Sequence, residues 1–323
     1  MKLDSLQVSL CHKEAQSAIT AAVQTASRSS VKAVPEEPDI VACLLQTLAI
    51  DWGQKLPEIL GIPVRVSSIF CHQSPIVRAW GTEGCELGDL LIVVWDETEK
   101  PVAIYGELFQ AKKFSGREYR LHEQDLIQLN LYESWPKFEV TRPKHGLRRG
   151  VKVDYDLSCN SPAAIYDYSK SEPGCYLVID WRTQDMSIAT PARTLDETTD
   201  LSSVLCQLIQ GSAGKKVSES RRSDSRWSGL VFDLLVHSFH SSFDRNNIGK
   251  VKAPRFQGSI PQDFSDQRYS HLCVVNEMIP QFVSFSHLQY RRCDSENGGI
   301  LKVVTDDDFE PGISTLFVHL GGA

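Results

Sequence analysis

Glu86-Leu87-Gly88-Asp89-Leu90-Leu91-Ile92-Val93-Val94, a short turn, and then Ile104-Tyr105-Gly106-Glu107-Leu108-Phe109-Gln110-Ala111-Lys112 form the stretch on which the reading of this chain turns. An acid opens an apolar strand. A second strand follows and ends in a polar residue, a spacer and a lysine. Residues two apart in a strand share a face. Gln110 and Lys112 therefore point together, and Glu107 points to the opposite face. Asp89 begins the neighbouring strand beside a glycine. Asp89, Gln110 and Lys112 are thus expected to converge at one end of the sheet. There they would place a metal-binding carboxylate, a second oxygen ligand and a cation around one phosphate. Burying such groups in an apolar hairpin is costly without a counter-charge or a metal.

Outward from this hairpin the chain alternates helical and extended patterns. Residues 4–28 read as a helix, and Val31 to Pro38 as a linker. Pro38 opens a second helix with Asp39 in its first turn, since proline suits the first helical position. That helix carries Ile40, Leu44, Leu45 and Leu48 and is expected to end near Asp51-Trp52-Gly53, with a further helical piece over Leu56 to Leu60. Ile62 to Phe70 alternates as a strand, broken at Gln73-Ser74-Pro75. Leu90 to Trp95 is apolar throughout, which predicts a strand covered on both faces. Val102 to Lys112 is the next strand. Leu121 to Trp135 is a helix stopped by Pro136, and Gly174 to Trp181 is another strand. The order over 38–181 is helix, three strands, helix, strand. Beyond it, Leu201 to Ile209 and Leu230 to Phe243 read as helices and 211–226 as a loop. His271 to Val275, Gln281 to Leu288, Ile300 to Val304 and Thr315 to Leu320 read as strands.

The chain has 323 residues, 41% hydrophobic and 23% charged, which suits a folded globular protein with a substantial core, and the order of helices and strands makes α/β the expected fold class. A net charge of −7 excludes a generally basic nucleic-acid coat. Contact with nucleic acid would use a local patch. The nine cysteines are scattered with no C-x-x-C, which favours reduced buried thiols over a disulfide frame or a zinc site. Residues 1–30 lack the apolar core of a secretion signal, and no apolar run reaches the ~18 residues of a membrane span. A soluble, cytoplasmic protein with no membrane association is expected.

The order of these elements, with Asp89, the strand end Gln110-Ala111-Lys112 and the helix after it, resembles the PD-(D/E)XK nuclease superfamily, the restriction-endonuclease-like proteins. Gln128-Leu129-Asn130-Leu131-Tyr132 has the Q-x-x-x-Y form seen after the lysine motif in RecB-like members. Where the family commonly has a second Asp or Glu, this chain has Gln110, as Mrr-like members do. A glutamine carbonyl is a weaker, neutral ligand. The resemblance implies a mixed central sheet flanked by helices over 35–185. A helical segment (1–34) precedes it and an accessory C-terminal α+β region (186–323) follows. It implies Mg²⁺ or Mn²⁺ held by Asp89, Gln110 and a glutamate of the first helix. Glu37 is the candidate for that glutamate, with Glu36 and Glu58 as rivals. Lys112 would position water or stabilise the phosphate. Gln128 and Tyr132 would orient substrate, though the same pair also fits the plain decoration of an amphipathic helix.

DNA is the expected substrate, and metal-dependent phosphodiester hydrolysis the expected reaction. A bacterial restriction or antiviral defence setting follows by analogy, with a homo-oligomer or a protein partner compatible with it. The alternative is a nucleic-acid-binding or assembly module whose metal site has decayed at Gln110. Two basic clusters suit phosphate contacts or solvated loops. One runs from Arg142 to Lys152 and includes Arg148 and Arg149, the candidate DNA contacts. The other is Lys215 to Arg226. His237 and His240 lack a completing ligand set. Asp306-Asp307-Asp308 reads as an exposed acidic turn. No phosphate-binding glycine loop, dinucleotide fingerprint or serine nucleophile elbow is present.

Overall fold

The computed structural model describes residues 1–29, 34–71, 75–79, 81–114, 119–142, 147, 152–157, 173–221, 224–240, 273–275, 289–293, 299–304 and 313–321. Its first half contains α1 (Ser5–Ser29), α2 (Glu37–Thr47), α3 (Gly53–Leu60), β1 (Val64–Ile69), β2 (Ile76–Ala79), β3 (Cys85–Glu86), β4 (Leu90–Asp96), β5 (Ala103–Phe114), α4 (Leu126–Ser134) and β6 (Phe138–Arg142). Its second half contains β7 (Asp154–Tyr155), β8 (Gly174–Asp180), β9 (Asp185–Ala189), β10 (Glu197–Asp200), α5 (Leu201–Gln210), β11 (Lys215–Val217), α6 (Trp227–His240), β12 (Cys273–Val275), β13 (Gln289–Cys293), β14 (Gly299–Val304) and β15 (Ser314–Leu320).

These elements make an α/β protein built on one large mixed sheet. Among the described residues its strands run β10-β9-β8-β5-β4-β15-β1-β12-β14-β13, and β11 pairs with the early part of β5. The hairpin β4–β5 is antiparallel, with Leu91 opposite Leu108 and Leu90 opposite Phe109. β8 lies parallel to β5 and sets Tyr176 beside Gln110. The helix α4 lies between β5 and β8 in the chain, as a parallel pair requires a crossover. A small antiparallel sheet, β3-β2-β6-β7, shares no strand pairing with the large one.

Every residue of β4 is buried, because both faces of the sheet are covered. Leu90, Ile92 and Val94 join Phe109 and Ala111 under α1, α2, α3 and α5. Leu91, Val93 and Trp95 join Leu108 under Leu131, Tyr132 and Trp135 of the α4 region, under α6, and under Val77 and Phe138 of the small sheet. An apolar run with no polar alternation is what such double coverage demands.

Several expected elements differ in extent. The helix expected from Leu121 begins only at Leu126. The Leu121 amide is committed to the Arg193 carbonyl at 3.0 Å, and a 3₁₀ turn covers Glu123–Asp125. It ends where Trp135 adopts φ 41°, directly before Pro136. The second helix does not stop near residue 51. It passes through one π turn, Leu48–Trp52, straight into α3. The stretch 211–226, read as a loop, contains β11, which pairs Lys215 with Gly106 and Val217 with Ile104. The expected strand 281–288 and the acidic run 306–308 lie outside the described residues.

Both ends of the chain are woven into this architecture. α1 packs along α2 and α5 through Cys11, Ala15, Ile19, Ala22 and Val23. β15 lies between β4 and β1, parallel to the first and antiparallel to the second. A strand placed by sequence in the region after the core therefore sits inside the sheet that carries the hairpin. No helix among the described residues is long and apolar enough to cross a membrane.

Candidate functional site

The bend before β4 is where the site begins. The Asp89 amide donates to the Phe109 carbonyl at 2.9 Å, which keeps Asp89 on the ladder just ahead of Leu90. The adjoining Gly88 is crowded: a Cβ there would sit 2.8 Å from the Tyr132 hydroxyl oxygen. That hydroxyl donates to the Leu87 carbonyl at 2.8 Å. Tyr132 is fully buried and lies beneath the site as the support of the Leu87–Gly88 bend. Replacing it with Phe removes the only hydroxyl reaching that carbonyl among the described residues. An unpaired buried carbonyl costs about 1–3 kcal/mol. Tyr132→Phe is therefore expected to lower unfolding free energy by about that amount in urea melts. A substrate-contacting tyrosine would instead leave stability unchanged and weaken DNA binding.

The Asp89 carboxylate turns toward β5. Its Oδ2 accepts the Ala111 amide at 2.8 Å and also a hydrogen bond from the Gln110 side-chain nitrogen. The same Gln110 nitrogen lies 3.4 Å from the Ala111 carbonyl. The Gln110 oxygen accepts from the Gln128 side-chain nitrogen, which also donates to the Glu86 carbonyl at 2.9 Å. Lys112, two residues on and on the same face, reaches Asp125 with Nζ 2.6 Å from Oδ1. The other Asp125 oxygen accepts the His122 amide at 3.0 Å, closing the first turn of that segment.

Glu37 arrives from the opposite direction. It is the first residue of α2, and its Oε1 accepts the Lys113 amide at 2.8 Å. Lys113 Nζ donates to the Pro35 carbonyl at 2.6 Å, so the start of α2 is latched across the end of β5. The result is a cleft of about 280 Å³ whose walls include Glu37, Glu86, Asp89, Gln110, Lys112 and Gln128.

The electrostatics follow from crowding Glu37, Glu86 and Asp89 into one buried cleft near Lys112. Burial, then the charges of Glu86 and Glu37, hold the Asp89 carboxyl well above the usual range, against the pull of the Ala111 amide and Lys112. Burial also raises Glu86, with Lys112 and Arg142 opposing and Glu37 adding to the rise. Burial raises Glu37, while the Lys113 amide and the two lysines oppose it. For Lys112, burial disfavours the charge, but Asp125, Glu37 and Asp89 outweigh it and raise its pKa.

Asp89, Gln110, Lys112, Glu37 and Gln128, all singled out from sequence, thus line one cleft, and Glu107 faces the other side of the sheet. Glu58 is exposed on α3 and Glu36 sits at the cap of α2. Arg148 and Arg149 lie outside the described residues. Sequence reasoning gave no role to Glu86 or Asp125. Glu86 belongs to a two-residue strand with no periodicity to read. Asp125 carried one usable signal, an acid at a helix start thirteen residues after a motif lysine.

Among the described residues no three His, Cys, Asp or Glu side chains form a ready-made metal cage. Mg²⁺ does not need one, because it keeps several waters and is held by one or two carboxylates together with substrate phosphate. The donors gathered here are carboxylate oxygens at an acidic point of the cleft, which is the chemistry a hard dication favours. Such an ion would draw its protein oxygens from Asp89 with Glu37 or Glu86, which share the cleft wall. No family model, curated protein or solved structure matches the chain.

Proposed function

We propose that the chain is a metal-dependent nuclease of the PD-(D/E)XK type that hydrolyses phosphodiester bonds in DNA. The observation that carries this reading is the meeting of Asp89, Gln110 and Lys112 on one face of an antiparallel hairpin, with Glu37 brought in by the preceding helix. Asp89 and Glu37 would hold Mg²⁺ or Mn²⁺, with the Gln110 oxygen, once its amide is turned, as a third donor and Glu86 on the same cleft wall. The ion would supply Lewis-acid neutralisation of the scissile phosphate. Lys112, fixed by Asp125, would stabilise charge developing on the phosphate or orient the attacking water. Arg142 and the 148–149 pair would grip the DNA backbone. A cytoplasmic restriction or antiviral defence role, alone, as a homo-oligomer or with a protein partner, is the setting that suits such an enzyme.

One observation favours a second reading, a nucleic-acid-binding module without catalysis. The Gln110 nitrogen, not its oxygen, faces Asp89, so the pair as it stands offers one metal-binding oxygen side chain where two are customary. Plasmid and single-stranded DNA incubated with Mg²⁺ separate the two. Wild type is expected to cleave, chelation to abolish cleavage, and Lys112→Ala to lower the rate by about 10²–10³-fold. Salt-dependent DNA binding without cleavage by either protein would decide for the binding module.

A further inference from the structure

We propose that Gln128 is a positioning residue that sets the polarity of Gln110 and thereby holds the Asp89 site in a state of low affinity for divalent cations. This rests on the metal-site reading above and specifies how that site is controlled. The starting point is an acceptor that cannot turn round. The Glu86 carbonyl has no hydrogen to give. The end of Gln128 that lies 2.9 Å from it must therefore be the amide nitrogen. That nitrogen has a second hydrogen, and the group it meets is the Gln110 side chain, which must present oxygen. The Gln110 nitrogen is then left facing the Asp89 carboxylate, with the Ala111 carbonyl as its second acceptor. One backbone carbonyl on β3 thus dictates, through two amides, which atom of Gln110 confronts Asp89.

The arrangement is self-consistent only without a cation between Asp89 and Gln110. An amide nitrogen carries no lone pair for a metal, so an ion shared by the two side chains requires the Gln110 oxygen in its place. Turning Gln110 alone would set its nitrogen against the Gln128 nitrogen, donor against donor. Turning both would set the Gln128 oxygen against the Glu86 carbonyl. Either cost is subtracted from the free energy of cation binding. Outer partners of metal ligands typically shift metal affinity by about 10–100-fold.

The test is Mn²⁺ binding to the full chain, read as loss of the free-ion electron paramagnetic resonance signal. Wild type is compared with Gln128→Met, Gln128→Glu and Gln110→Glu, each checked for folding by circular dichroism. Gln128→Met removes the donor that holds the Gln110 oxygen, and Gln128→Glu reverses its polarity. Both are expected to tighten Mn²⁺ by about tenfold or more. Gln110→Glu supplies a second carboxylate and is expected to tighten it as well. A merely structural Gln128 would weaken binding when replaced. If Gln110→Glu tightens Mn²⁺ while both Gln128 variants leave it unchanged or weaker, the polarity proposal is overturned and the metal site stands. If neither wild type nor any variant binds Mn²⁺, the metal-site reading falls and the proposal with it. Gln128→Met decides between polarity and a new ligand, because the carboxylate introduced by Gln128→Glu could itself contact the cation and a thioether does not. Tightening by Gln128→Glu alone therefore also overturns the proposal.

Discussion

Asp89→Asn is expected to eliminate cleavage, by about 10²–10³-fold or more, while making the protein harder to unfold. The two effects share a cause. The Asp89 carboxyl is buried beside Glu86 and Glu37, and its folded pKa is held well above the unfolded value. For an acid raised in this way, the folded state keeps a proton that the unfolded state has already released. Stability therefore falls as pH rises above the unfolded value near ~3.9, until the folded carboxyl itself ionises. Asparagine carries no titrating proton, and its single oxygen can still accept from both the Ala111 amide and the Gln110 nitrogen. Melting curves at pH 4 and pH 8 without metal should show little difference at the lower pH and a more stable variant at the higher. Mg²⁺ should raise the melting temperature of wild type and not of Asp89→Asn. A variant that is less stable at pH 8 would mean that Asp89 is a structural anchor and not a strained ligand. Gains in stability on neutralising a functional acid are a familiar trade against activity.

The second large effect lies on the other face of the sheet. Glu107 is buried at 8% exposure, with the Cys175 thiol donating to Oε1 at 3.7 Å. Burial pushes its carboxyl up to about 8, with Cys175 and Lys215 pulling weakly the other way. The unfolded chain releases this proton near ~4.3, so between those two values the unfolded state binds fewer protons than the folded one. Stability is then predicted to fall with rising pH across that window and to level off above it. Glu107→Gln keeps the size and removes the titration. Wild type and variant should match near pH 4 in urea melts. At pH 8 to 9 the variant should be more stable, on the order of a few kcal/mol. Parallel profiles across the range would show that Glu107 is ionised in the fold and held by Lys215. Because Glu107 lies across the sheet from the cleft, the same substitution should leave Mn²⁺ binding unchanged.

The parts of this molecule that are legible in sequence are those governed by period. Continuous apolarity over Leu90–Val94 announces a doubly covered strand, and alternation assigns Gln110 and Lys112 to one face and Glu107 to the other. Proline at the start of α2 marks the helix that delivers Glu37. What stays illegible depends on partners distant in the chain. Glu86 enters the cleft because β3 pairs with β2, a contact with no signal in either the two-residue or the four-residue segment. Asp125 belongs to a turn shortened because Leu121 is bonded to Arg193, far along the chain. The orientation of Gln110 is set by a carbonyl, and carbonyls are the same at every position of a sequence.

β15 has a consequence for how the protein is made. Among the described residues it alone joins β4 to β1, so the two wings of the sheet meet through residues 314–320. A ribosome adding about 5–20 residues per second must travel from the hairpin to this strand before that seam can close. Until then β4 and β1 each present an unpaired apolar edge, the kind of surface on which nascent chains aggregate. Closure of the large sheet is thus timed by the arrival of a distant strand. Shielding of those two edges during synthesis would govern the yield of folded protein.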